Sequence, residues 1–265
     1  MSHAADTKHV VIVGGGFAGL AVAKKLAGHA GIRLTIVDRR NHHLFQPLLY
    51  QVATAALSPA EIAAPIRSLL RGTSNAEVLL DTVVDIDAGA RRIQTSSGAL
   101  DYDYLVLAAG ARHSYFGHDE WEAHAPGLKS LEEATEIRRR VLTAYELAER
   151  ERDPVVQRRL LTFVVIGGGP TGVELAGALG EISRYTLSRD FAHIDPRRTR
   201  VILIEAGDRL LKSFDPALSR RATADLERLG VTVWTSTRVS EVTGEAVHFG
   251  GERVEAATVL WAAGV

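Results

Sequence analysis

Two glycine-rich hexapeptides in this chain have the spacing needed to hold phosphate, Gly14-Gly15-Gly16-Phe17-Ala18-Gly19 and Gly167-Gly168-Gly169-Pro170-Thr171-Gly172. In the G-x-G-x-x-G pattern the first glycine allows a tight turn and the second lets a pyrophosphate approach bare backbone. The third lets helix and strand pack closely. A helix opening on such a loop adds unpaired N–H groups and the positive end of its dipole. Each loop is followed by an acid that closes a second apolar run. Asp38 ends Arg33-Leu34-Thr35-Ile36-Val37, close to the offset of about 20 residues expected of a carboxylate that bonds a ribose hydroxyl. Glu205 ends Val201-Ile202-Leu203-Ile204 and comes later, so the polar and basic stretch Ser183 to Arg198 reads as an insertion between helix and strand. Either loop alone could be a glycine turn with no ligand. Strand, loop, helix and acid in the same order twice imply two dinucleotides.

Other residues could act on what those loops hold. Glu174 falls two residues past Gly172, in the first turn of the second nucleotide helix. An acid is favoured there by the helix dipole alone. Beside a bound pyrophosphate, however, it would be repelled unless it served another end, which favours a functional role. Gln46, Pro47 and Leu48 follow a short loop and could present backbone N–H groups and an amide to a ring, or could simply start a helix with proline. Arg39 and Arg40 could flank an adenosine or be a solvated pair. The run Arg138-Arg139-Arg140 lies opposite an apolar helical face and reads as solvated surface.

Composition narrows the chemistry further. With 265 residues and 46% hydrophobic content the chain can bury one or two cores. A net charge of −1, from 31 basic and 32 acidic residues, offers no bulk attraction for nucleic acid, so none is expected as a partner. The absence of cysteine excludes a disulfide scaffold, a thiolate metal site and a redox-active dithiol within these residues, so electrons must pass through a cofactor. The histidines, including the pair His42-His43, lack a spaced set of partners and no metal is expected. No apolar run approaches the roughly 20 residues of a spanning helix, and the segment before the first strand is too short for a signal peptide, which predicts a cytosolic compartment.

Periodicity supplies the elements that must place these groups. A strand is expected at about 9–13, a helix to about 28 and a strand at about 33–38, the start of a doubly wound α/β unit. Ser58-Pro59-Ala60-Glu61 has the form of a capping box and predicts a helix over about 59–71. Val78, Leu80, Val83 and Ile86 alternate into Arg91-Arg92-Ile93-Gln94 and Gly98-Ala99-Leu100 as antiparallel strands, and Tyr104 to Ala108 reads as a buried strand. Residues 111–129 have no period and read as a linker. Ser130-Leu131-Glu132-Glu133 is a second capping box, followed by a helical face of Leu131, Ala134, Ile137, Val141, Ala144, Tyr145 and Ala148. A second unit starts at Leu161. Asp215-Pro216 opens a helix stopped by Gly230 before Val231-Thr232-Val233-Trp234, and short strands over about 238–260 lead to Thr258-Val259-Leu260-Trp261-Ala262-Ala263-Gly264.

With both loops placed, the chain resembles the two-dinucleotide flavoprotein oxidoreductases of glutathione-reductase-like architecture. Tyr104-Leu105-Val106-Leu107-Ala108-Ala109-Gly110 looks like the strand that leaves their FAD domain, and Leu260-Trp261-Ala262-Ala263-Gly264 like the strand that returns from their NAD domain. Within that superfamily, His42-His43-Leu44-Phe45-Gln46-Pro47-Leu48-Leu49-Tyr50-Gln51-Val52-Ala53 is similar to the flavin-facing segment of bacterial type II NADH dehydrogenases. So are Ala125-Pro126-Gly127-Leu128-Lys129, the stretch from Gly168 to Gly177, and Phe214-Asp215-Pro216.

The resemblance implies two Rossmann-like domains, the NAD domain inserted in the FAD domain. Residues 1–118 would be the first part of the FAD-binding domain, 119–259 the NADH-binding domain, and 260–265 the return strand. It implies FAD and NADH as cofactors, hydride transfer from NADH to flavin, and delivery of electrons to a membrane quinone without proton pumping. Gly14, Gly15, Gly16, Phe17, Ala18, Gly19, Asp38, Arg39, Gln46, Pro47, Leu48, Ala109 and Gly110 are then expected at FAD, and Ala263 and Gly264 of the return strand are expected to bind cofactor. Gly167, Gly169, Pro170, Thr171, Gly172 and Glu205 are expected at NADH, and Glu174 near nicotinamide and flavin. The family continues past the returning strand into quinone and membrane contacts, so the sequence reads as an amino-terminal portion. Its expected place is peripheral, at the cytoplasmic face of the inner membrane, or cytoplasmic without that region; a homodimer is compatible. A ferredoxin-type or other flavin-dependent NAD(P)H reductase, and a redox-silent NADH-binding sensor, are the alternative readings. Sulfide:quinone oxidoreductase is a third relative, which needs cysteines absent here.

Overall fold

The computed structural model describes residues 7–264. In chain order these form β1 (Lys8–Val13), α1 (Phe17–Leu26), β2 (Ile32–Asp38), β3 (His42–Leu44), α2 (Leu49–Ala53), α3 (Pro59–Ile62), β4 (Ala63–Pro65) and α4 (Ile66–Leu69). There follow β5 (Ala76–Leu80), β6 (Val83–Asp87), β7 (Arg92–Thr95), β8 (Ala99–Asp101), β9 (Tyr104–Leu107), α5 (Leu131–Arg150), α6 (Pro154–Leu160), β10 (Thr162–Ile166) and α7 (Pro170–Glu181). The remainder is β11 (Arg200–Ile204), α8 (Pro216–Arg228), β12 (Val231–Trp234), β13 (Val239–Val242), β14 (Ala246–Phe249), β15 (Glu252–Glu255) and β16 (Thr258–Trp261). The return segment expected at 260–265 ends on Val265, which lies outside the described residues.

The chain divides into two compact units, one of residues up to Phe45 with Ala60–Ala111, the other of Gln46–Pro59 with residues from Arg112 on. The first unit carries a parallel sheet in the order β5-β2-β1-β9 and an antiparallel β6-β7-β8 meander. The second repeats the plan, with β12-β11-β10-β16 parallel and β13-β14-β15 antiparallel. In both sheets the first strand of its unit sits between the second and the last. Chain order therefore reverses direction beside it, and a crevice opens at the strands' carboxyl ends there. This is the doubly wound α/β class expected from sequence, built twice.

The strands at the centre of each sheet are near-continuous apolar runs because both faces are covered. Val10, Ile12, Leu34 and Ile36 pack with Leu20 and Ala23 of α1 and with Ile66 and Val78 in one core. Val164, Ile166, Ile202, Ile204, Val259 and Trp261 pack with Val242, Val247 and Val254 of the meander in the other. The cap of α5 is the one read from sequence. Ser130 Oγ accepts from Glu133 N at 3.2 Å, and Glu133 Oε2 accepts from Ser130 N at 2.8 Å. The helix buries Ala134, Ile137, Val141, Ala144, Tyr145 and Ala148 along the expected face, while Leu131 stays half-exposed.

Four expectations need correction. Tyr104 to Ala108, read as a buried strand, forms β9 at the edge of its sheet, with Tyr104 and Leu107 60% and 65% exposed. Val78 and Leu80, read with the antiparallel strands, lie on β5, which runs parallel beside β2. The helix predicted over 59–71 is broken into α3, β4 and α4, because Pro65 has no N–H to give to a helix and disfavours the α conformation at Ala64. The freed segment pairs with β3 instead, His43 opposite Ala64. Residues 111–129 are not a featureless linker. They contain a 3₁₀ turn at Asp119–Ala123 and bury Tyr115 and Trp121 to 3% and 5% exposure. These rings pack on Trp261, whose centroid lies 5.0 and 5.7 Å away, and Tyr115 donates its hydroxyl to Ala125 O at 2.7 Å.

Candidate functional site

Each unit builds a backbone cradle where its central strand ends. After β1, Gly14 N donates to Val37 O at 2.8 Å and the residue takes φ +102°, a left-handed turn in which a Cβ would also strike Ala108 O. Gly16 caps α1, and nothing lies within 4 Å of where its Cβ would point, so the space before the helix N-terminus is open. A Cβ on Gly19 would collide with Gly14 O, which sets how closely α1 sits on the loop. The second unit repeats all of this. Gly167 has φ +115° and donates to Ile204 O at 2.8 Å; a Cβ there would lie 2.7 Å from Ala262 C. Gly169 caps α7 with nothing within 4 Å, and Gly172 would strike Gly167 O. Turn, open approach and close packing thus fall on the expected glycines in both loops, and each cradle fits a pyrophosphate on bare N–H groups at a helix N-terminus.

The two acids also match. Asp38 Oδ2 accepts from Gly15 N at 2.6 Å and Oδ1 from Arg40 N at 2.7 Å. Glu205 Oε2 accepts from Gly168 N at 2.6 Å and Oε1 from Gly207 N at 2.6 Å. Each carboxylate therefore ties the middle of its loop to the end of the second strand and leaves further lone pairs for a ribose hydroxyl. Phe17 and Ala18 are exposed at the start of α1, with Phe17 edge-on to His43 and Phe45 at 5.0 and 5.7 Å. His43 Nδ1 approaches Gly15 O to 3.1 Å. Arg39, Ala109 and Gly110 are exposed.

In the second unit a cleft of about 640 Å³ opens over the cradle. The loop Gly167–Thr171 forms its floor, Glu205 and Ala206 one side and Trp261–Gly264 the other. Ala263 and Gly264, expected to bind cofactor, line the second unit's cleft, beside Pro170 and Thr171. Sequence reasoning missed Phe116, His118 and Trp121 at the rim, and Thr237, Arg238 and Ser240. The signal for the first three was present in the concentration of aromatic side chains within a stretch lacking any period.

Glu174 does not fall in the first turn as read from sequence: α7 already begins at Pro170, which puts Glu174 on the second turn, where it is exposed and partial loss of water raises its carboxyl above the usual range. Gln46, Pro47 and Leu48 form a 3₁₀ turn leading into α2, which packs on α5 and α7. Gln46 Nε2 donates to Lys129 O at 3.4 Å. Burial lowers the Lys129 ammonium, against the pull of Glu133. His113, Glu122 and Glu133 bring ligand atoms within 4.8 Å of one another. Glu133 commits one oxygen to Lys129 N, Ser130 N and Ser130 Oγ, so this group acts as a helix cap with an adjoining histidine at 3.7 Å.

Two parallel sheets, each with a glycine cradle and a carboxylate returning to it, define a protein that handles two dinucleotides. The chain belongs to the pyridine nucleotide-disulphide oxidoreductase family, whose profile matches residues 8–265. It is 43% identical over 265 residues to the type II NADH:quinone oxidoreductase Ndh of Mycobacterium tuberculosis, covering 97% of this chain and 57% of that one. NdhA of the same organism is also 43% identical, with 97% and 56% covered, so the chain spans a little over half the length of these relatives. NDH2 of Plasmodium falciparum, solved in complex with NADH, shares the fold with a TM-score of 0.90 at 23% identity over 97% of this chain and 55% of that one.

Proposed function

We propose that the chain is the dinucleotide-handling part of an FAD-dependent NADH:quinone oxidoreductase that pumps no protons. The observation that carries this reading is the duplicated cradle, open at Gly16 and Gly169 and tied by Asp38 and Glu205. The first unit would hold FAD at Gly14–Gly19, Asp38, Arg39, Ala109 and Gly110. The second would hold NADH at Gly167–Gly172 and Glu205, with Ala263 and Gly264 at the edge of its cleft. The limits 1–118, 119–259 and 260–265 are proposed for the first part of the FAD-binding domain, the NADH-binding domain and the return strand. The identity to quinone oxidoreductases supports quinone as acceptor. No helix among the described residues is long and apolar enough to cross a membrane, which suits a peripheral protein working at a membrane surface and offers no helical path for pumped protons.

When bound, FAD would supply the chemistry of taking hydride from NADH and passing the electrons to a quinone. The chain's own residues bind and orient. The N-termini of α1 and α7 receive pyrophosphate charge on backbone N–H groups. Glu205 accepts from a ribose hydroxyl and disfavours a 2′-phosphate by like charge. Gln46 to Leu48 would present an amide and backbone to the flavin. Glu174, whose carboxyl is raised by partial loss of water, would stand toward the reacting end of the nucleotide as a proton carrier.

The test is spectroscopic. The purified protein should be yellow, should bleach anaerobically with NADH faster than with NADPH, and should regain colour with a short-chain quinone. Reoxidation by a small iron–sulfur protein but not by quinone would move it to the ferredoxin-type reductases. A colourless protein that accepts no added FAD yet still binds NADH would make it a sensor.

A further inference from the structure

Phe116 is the most exposed aromatic ring on the cleft rim, at 66%, and its backbone is held at φ +55°, followed by Gly117 at +92°. A bulky residue in the left-handed region is costly, and it persists only where its surroundings fix it. Here they do. Phe116 N donates to Ser114 Oγ at 3.1 Å, Ser114 N donates to Gly264 O at 2.8 Å, and Trp261 Nε1 donates to Ser114 O at 3.0 Å. Tyr115, the preceding residue, is sunk in the core. The ring of Phe116 is thereby kept out of that core and presented to the cleft, 6.2 Å from the Trp261 ring.

Its place across the cleft says which part of a dinucleotide it meets. The order β12-β11-β10-β16 puts Glu205, at the end of β11, on one side of the β10 loop, and Gly264, after β16, on the other. With pyrophosphate at the N-terminus of α7 and the adenosine ribose at Glu205, the nicotinamide riboside runs toward the β16 side. Phe116 is tethered there through Ser114 and Gly264. Building on the assignment of this cleft to NADH, we infer that Phe116 is a positioning residue that packs on the nicotinamide ring of the nucleotide. An aromatic face there removes apolar area from water and limits the ring's orientation.

The test uses the whole chain and reads binding rather than turnover. NAD⁺ and ADP-ribose, which lacks nicotinamide, are titrated calorimetrically into the wild type, Phe116→Ala, Phe116→Gly and Phe116→Tyr, and each thermal midpoint is measured without nucleotide. Phe116→Ala and Phe116→Gly should weaken NAD⁺ by about fivefold to twentyfold, as expected for one aromatic contact, and leave ADP-ribose within about twofold. Phe116→Tyr should restore NAD⁺ binding. Glycine relieves the left-handed backbone, so its midpoint should hold or rise while NAD⁺ affinity falls, a combination that a merely structural phenylalanine would not give. Unchanged NAD⁺ binding in Phe116→Ala overturns the inference, as does equal weakening of both ligands or a lowered midpoint in Phe116→Gly. If the wild type binds neither ligand, the nucleotide reading of the cleft falls as well. If it binds ADP-ribose and loses it in Gly169→Val, that reading stands whatever Phe116 does.

Discussion

At the residue scale, Asp38 and Glu205 each tie a glycine loop to the end of a second strand, and each is proposed to meet a ribose hydroxyl with the same carboxylate. Both oxygens of Glu205 accept backbone N–H groups at 2.6 Å, so its charge is fixed in place before any nucleotide arrives. A 2′-phosphate brought to about 4 Å would meet a repulsion of about 4 kcal/mol at an effective dielectric near 20, reduced by the solvent that still reaches the site. Glu205→Gln removes that charge. The preference for NADH over NADPH, measured as the ratio of dissociation constants, should fall at least about tenfold, or about 1.4 kcal/mol. The amide also turns an N–H₂ toward one backbone donor, so a loss of about 1 kcal/mol of stability should accompany it. An unaltered ratio would mean that Glu205 only braces the loop. For Glu174 the expected balance is the opposite. It lies exposed on the second turn of α7, past the first turn in which the helix dipole is felt, so Glu174→Gln should barely move the thermal midpoint. In a protein loaded with FAD it should slow flavin bleaching by NADH or quinone turnover by about tenfold or more. Wild-type rates in stopped flow and steady state would leave it a surface acid of α7.

At the scale of elements, β1 carries a polar group inside a sheet. His9 is 6% exposed, with Nδ1 2.7 Å from Asp101 O and 2.8 Å from Arg33 Nη2, and Nε2 2.8 Å from Thr35 Oγ1. Burial, and then the Arg33 charge, lower its pKa below the ordinary 6.5. The unfolded chain therefore binds a proton at a pH where folded His9 does not. Its contribution to stability is complete above about pH 6.5 and is lost progressively as pH falls from there toward the depressed folded value. The thermal midpoint should drop on acidification below about pH 6.5, and His9→Gln should flatten that slope while lowering the midpoint at neutral pH. An equal slope in both proteins would assign the acid loss elsewhere. How much of the architecture was readable follows from the same local and non-local division. The apolar runs of β1 and β10, the capping box of α5 and the acid after each second strand are local signals, and they placed the sheets and both cradles. The break at Pro65 was readable in principle, but the strong helix start at Pro59 outweighed it. The burial of Tyr115 and Trp121 was not readable, because their partner Trp261 is far away in sequence and no short window contains the contact. Nor was the clamp by which Glu149 accepts from the N–H groups of Ala192, His193 and Ile194, which orders the stretch read only as an insertion.

At the scale of the molecule, one plan is used twice. Every residue lining the cleft over the second cradle comes from positions 116–264, so the second unit builds this cleft, the proposed NADH site, from its own residues. The first cradle is likewise closed by β1, α1, β2 and the end of β9, all within the first unit. Sites that share no residue are expected to respond independently to substitution. Gly16 and Gly169 allow that to be tested cleanly. Both lie at negative φ, −72° and −75°, with open space where a side chain would go, so the fold itself tolerates valine there. The proposed ligand would not, since the same space is the approach assigned to the pyrophosphate. Gly16→Val should yield a folded protein that takes up no FAD yet binds NAD⁺ with wild-type affinity. Gly169→Val should keep FAD and lose at least about tenfold, or about 1.4 kcal/mol, in NAD⁺ affinity. Circular dichroism establishes folding, absorbance the flavin content and calorimetry the NAD⁺ affinity. Loss of flavin from Gly169→Val with retention in Gly16→Val would exchange the two assignments, and loss of both ligands in either variant would show that the cradles are energetically one site.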